Sequence, residues 1–101
     1  MNNITYNFYR AIQQALVDDA PVDTGEGYFV RFKDFNEWGD ESPLQYGVEV
    51  LDMFYRPVMD IKYGDFIPIP NYVVGDNTCT KMMAEHIAVE LKLVEPKPMP
   101  F

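Results

Sequence analysis

The chain has 101 residues, 48% hydrophobic and 15% aromatic, with eight Lys and Arg against 16 Asp and Glu for a formal net charge of -8. That is one domain's length with enough apolar content for a core, which argues against disorder, and no apolar run approaches the roughly 18–20 residues of a membrane-spanning helix. The negative field repels phosphate, which argues against direct binding to nucleic acid or an anionic membrane, and the single cysteine, Cys79, excludes an internal disulfide.

Residues 3–19 have helical spacing, with Ile4, Phe8, Ile12, Ala15 and Leu16 on one stripe, Asn2 or Asn3 as the cap, and Pro21 as the stop. Asp18 and Asp19 then fall at the negative end of the helix dipole, a mild mismatch. Gly25 and Gly27 mark a turn. Residues 27–35 read as a strand: Tyr28, Val30 and Phe32 alternate with Phe29, Arg31 and Lys33. Residues 36–44 are a polar loop broken by Gly39 and Pro43, and they hold Trp38 among acids. Trp38 either folds back onto the core or serves as a contact residue.

Residues 45–55 read as a second strand, with Tyr46, Val48, Val50 and Phe54 sharing a face, and Pro57 interrupts. Residues 58–63 follow as a short third strand with Met59, Ile61 and Tyr63 together. Pro68 and Pro70 confine the next segment, 65–71, to an edge or an extended arm. Residues 77–94 read as the second helix, with Cys79, Met83, Ile87 and Leu91 on its stripe and Glu95-Pro96 ending it. The expected architecture is a two-layer α+β domain over residues 1–95. It comprises an N-terminal helix, a three- to four-stranded antiparallel meander and a C-terminal helix, followed by a Pro-rich tail at 96–101.

Catalytic groupings are scarce. One serine, Ser42, and one histidine, His86, leave little from which to build a Ser–His–Asp triad. Cys79 and His86 lie about two helical turns apart, roughly 10 Å, too far for a nucleophile–base bond. His86 and Glu90 have helical i,i+4 spacing, but no second histidine exists to complete a metal site. The expectation is a non-enzyme without cofactor or metal.

Charge is concentrated instead. Residues 18–52 carry ten acids against Arg31 and Lys33. Asp18, Asp19, Asp23, Glu26, Asp34, Glu37, Asp40 and Glu41, with Trp38 as an anchor, are the candidate partner-binding residues, and their field would attract a basic protein surface. The bland alternative is a solvated face that keeps the chain soluble.

The phrase APVDTG at residues 20–25, placed just after an amphipathic helix, resembles one common in tailed-phage tail-completion proteins of the head–tail joining region. QYGVEV, YRPVMDI and the helix AEHIAVELK fall in the order of that family's later segments. The chain departs from the family at Glu26-Gly27-Tyr28, which leads directly into a strand, and in its strong acidity. The resemblance implies a structural virion component that assembles through protein–protein contacts as a homo-oligomeric ring at the head–tail joint. The competing expectation is a small acidic inhibitor, an anti-CRISPR or other anti-defence protein, that imitates nucleic-acid charge and blocks a host enzyme. The N-terminal residues lack a basic start followed by an apolar block, so no signal peptide is expected and the location is virion or host cytoplasm.

Overall fold

The computed structural model describes residues 2–66 and 77–96 of the chain, with Pro43 described by its backbone alone. The elements in order are α1 (Asn3–Asp18), β1 (Val22–Asp23), β2 (Phe29–Asp34), β3 (Tyr46–Leu51), β4 (Pro57–Lys62) and α2 (Asn77–Glu90), with 3-10 turns at Pro43–Gln45 and Tyr63–Phe66. The strands form one antiparallel sheet in sequence order, β1-β2-β3-β4. The expected α+β architecture is therefore present, with four strands.

Local chemistry sets the ends of α1. The Asn2 side chain accepts a 2.7 Å bond from the Thr5 amide, satisfying one of the first-turn donors. Asp19 closes the helix in the left-handed region at φ 52, its amide donating to the Ala15 carbonyl, and Pro21 follows. The other helix, α2, stops at Glu90, four residues short of the expected 94. Lys92 takes φ 60, the Leu93 amide bonds the Ala88 carbonyl at 2.9 Å, and the Lys92 amide bonds that of Val89 at 2.9 Å. This doubly bonded left-handed closure ends the helix before Pro96 is reached, and it forms on a lysine where glycine is usual.

Phe8, Ala11, Ile12 and Ala15 of α1 join Cys79, Met83, Ala84, Ile87 and Ala88 of α2 in one core. From the sheet come Val30, Val48, Val50 and Ile61, which the strand register puts on a single face. Each buried aliphatic or aromatic side chain here contributes about 1.5–3 kcal/mol relative to exposure. Both helices thus cover one face, giving two layers. Tyr63, expected at the end of a strand, is fully buried on the following 3-10 turn.

The opposite face of the sheet is chemically different. The register aligns Phe29 with Leu51, Arg31 with Glu49 and Glu49 with Asp60. Glu49 is buried despite facing away from the core. Arg31 pairs with one of its oxygens and Lys33 Nζ lies 3.1 Å from the other, so its charge is balanced as a buried carboxylate requires. Gly47 sits against the backbone of β4: a Cβ there would collide with the Ile61 carbonyl.

Candidate functional site

The chain between β3 and β4 builds the most distinctive exposed feature. Strand β3 ends at Leu51 because Asp52 turns the chain and caps the loop. One carboxylate oxygen accepts from the Phe54 amide at 2.8 Å and the Arg56 amide at 3.0 Å, and the other accepts Arg56 Nε at 2.8 Å. Backbone bonds from Asp52 to Arg56 and from Tyr55 to Asp52, both 3.0 Å, close the loop. The amide bond from Arg56, with others from Phe54 and the Arg56 side chain, holds the Asp52 carboxyl below its ordinary pKa despite a weaker opposing effect of desolvation. Tyr55 adopts φ 61, unusual for a residue with a side chain, and its ring stacks on Phe29 at 4.7 Å between centroids. The Arg56 guanidinium lies 5.1 Å over the Phe54 ring.

This loop presents Met53, Phe54 and Tyr55 in succession, with Phe54 76% exposed and Val58 beside them on β4. Of the nine large apolar side chains exposed among the described residues, four fall between Met53 and Val58. Scattered exposed apolar residues need no explanation, but a fixed run of three does. The sequence pattern extends β3 to residue 55 and groups Phe54 with Tyr46, Val48 and Val50. The structure corrects both points: Phe54 lies in the loop. Pro57, read as an interruption, is the first residue of β4 and pairs with Leu51 across a register shift. The readable signal was an Asp followed four residues later by Arg-Pro, a turn signature masked by the apolar residues inside it.

The nine acidic-segment residues singled out earlier are distributed over the molecule. Asp23 and Glu26 belong to the β1–β2 turn, at the same end of the sheet as the Asp52–Arg56 loop, because Phe29 pairs with both Asp23 and Leu51. Asp34, Glu37, Trp38, Asp40 and Glu41 are at the opposite end, where Asp34 pairs with Tyr46. Asp18 and Asp19 end α1, and Asp18 accepts from Gln14 at 2.7 Å. Several of these acids have local partners: Asp23 accepts from the Gly25 amide at 2.8 Å, Glu26 from the Asn7 amide group at 2.8 Å, and Asp34 from Asn36. Trp38 is fully exposed at 102%, so it does not fold onto the core.

The APVDTG phrase is a built turn. Thr24 is fully buried, its hydroxyl donating to the Tyr28 carbonyl at 2.8 Å and accepting from the Glu26 amide at 3.2 Å, while Gly25 and Gly27 supply the left-handed backbone. Residues 67–71 of the Pro-rich arm and the tail at 97–101 lie outside the described residues.

On the helix layer, the cap residue Asn2, Thr5 of α1, Met82, Glu85, His86 and Val89 of α2, Phe66 and residues 94–96 line an open cleft of about 460 Å³. Phe66, Met82, Val89 and Val94 supply apolar lining, and Glu85 and Glu95 also line it. His86 meets the Phe66 ring edge-on at 5.3 Å. Cys79 is buried, with its sulfur 3.7 Å from the Tyr63 carbonyl oxygen. Among the described residues no group of three or more His, Cys, Asp or Glu is placed to hold a metal, and no helix is long and apolar enough to cross a membrane. No protein-family model, curated protein or solved structure matches the chain.

Proposed function

We propose that this chain is a non-catalytic assembly protein that acts through protein–protein contacts, as a structural part of a tailed-phage virion of the tail-completion or head–tail joining type. The observation that carries the contact reading is the Asp52–Arg56 loop, a hydrogen-bonded turn that exposes Met53 and Phe54 beside Tyr55, whose ring stacks on Phe29. Exposed aromatic and Met side chains on a backbone braced by hydrogen bonds suit interface anchoring, since the loop itself has less backbone entropy to lose on docking. The virion assignment rests on the APVDTG phrase and the order of the segments after it.

The test is light scattering after size exclusion at low and moderate salt, on the wild type and on a Met53→Ser/Phe54→Ser variant. The expected result is a multimer for the wild type and loss of assembly in the variant. If the wild type is monomeric, the same two proteins are compared for capture of a partner from phage lysate. Equal behaviour of both in assembly and in capture would sink the reading.

A second reading, the acidic inhibitor that imitates nucleic-acid charge, draws on the exposed Trp38 set among Glu37, Asp40 and Glu41. It predicts a partner whose capture weakens steeply with salt and is lost on replacing Glu37, Asp40 and Glu41 by Gln and Asn. Capture insensitive to both changes would exclude it.

A further inference from the structure

This inference rests on the reading that the Asp52–Arg56 tip is a docking element, and it names the receptor. We propose that the tip of one copy seats in the cleft between α1, α2 and Phe66 of a second copy of this chain.

Two complementarities carry the pairing. The tip offers apolar side chains, Met53, Phe54 and Tyr55, and the cleft offers apolar lining and a volume of about the scale needed to receive them. The tip also carries one cation. Arg56 is 71% exposed, and Asp52 engages its guanidinium through Nε. The exposed Glu95 lines the cleft. An arginine arriving with the aromatic tip thus meets opposite charge at the rim while the apolar groups are covered.

The two surfaces share no residue, since the tip closes one end of the sheet and the cleft belongs to the helix layer. A copy docked by its tip therefore keeps its own cleft open for the next. The contact is heterologous and propagates, closing into a ring or running on as a filament. Each copy carries a net charge of -8, so long-range repulsion opposes the contact at low ionic strength. Assembly should strengthen from low to moderate salt, the reverse of what a basic partner would show.

The heterologous geometry gives a mixing test. Two variants alter exposed side chains: Met53→Ser/Phe54→Ser in the tip and Met82→Arg in the cleft, with Glu95→Arg as a second cleft variant. Far-UV circular dichroism and thermal unfolding establish that each is folded. In light scattering the wild type should be multimeric and each variant should fall to the monomer mass. An equimolar mixture of tip and cleft variants should give a dimer and nothing larger, because one intact tip and one intact cleft remain between them. If both cleft variants assemble like the wild type while the tip variant is monomeric, the cleft assignment is overturned and the tip reading stands. A mixture that stays monomeric, or a wild type monomeric into the high micromolar range, overturns docking between copies. In that last case the tip reading is decided separately by capture of an outside partner.

Discussion

Glu49 shows how a charged residue can be retained on a sheet interior to the chain. It sits on the central strand β3, away from the helices, and is covered by the two cations that neutralise it, Arg31 and Lys33. Because both cations remain partly exposed, the pairs are screened. Glu49→Ala should therefore cost about 1–2 kcal/mol, read as a lower urea midpoint, rather than the larger loss of a wholly buried pair. Thr24→Val, which removes the buried hydroxyl from the β1–β2 turn, should cost about 1–2 kcal/mol by the same measurement. Trp38→Ala should shift stability by less than about 0.5 kcal/mol, because its ring touches no core. Asp52 supplies the acid response. Its folded pKa lies below the ordinary value, so its contribution is complete above the unfolded pKa and is lost as pH falls through the folded one. The Phe54 and Arg56 amide resonances should hold steady at neutral pH and move below the usual aspartate range. Asp52→Asn should abolish that transition; amides that titrate at an ordinary aspartate pKa would contradict it.

At the scale of elements, Gly47 explains why β3 can lie so close to β4. Gly47→Ala places a methyl on the Ile61 backbone and should destabilise by more than about 3 kcal/mol, with thermal unfolding as the check. How far the sequence revealed these elements follows from their length and pattern. Alternation over residues 28–33 separated Val30 and Phe32 from Arg31 and Lys33, and the register agrees. The stripe of α1 was readable from its helical period, which also places the fully buried Ala11 one turn after Phe8, although the stripe read from the sequence omits it. Strand β1 has two residues and cannot show a period. The apolar run Met53-Phe54-Tyr55 imitated a continuing strand, since propensity registers hydrophobicity and not the hydrogen bonds by which Asp52 bends the chain. The end of α2 was missed because its closure forms on Lys92, and no glycine signals it. The candidate site was thus the least legible part: what marks it is exposure, and exposure follows from tertiary placement.

At the scale of the whole molecule, acidity and assembly pull against each other. A chain of net charge -8 disperses well and resists premature association, so its contacts depend on a few fixed anchors. The left-handed Tyr55 draws out what that implies for the lineage of such a protein. Its backbone strain costs roughly 1–3 kcal/mol, and its stacking on Phe29 offsets roughly 0.5–1.5 kcal/mol of that. Folding accordingly loses little on Tyr55→Asn, whose side chain tolerates that conformation well. Two mutational selections on position 55 should therefore diverge. One that rewards stability alone would let tyrosine drift to asparagine or glycine, whereas one that rewards assembly would keep the ring. Sequencing both pools would separate what the fold demands from what the partner demands.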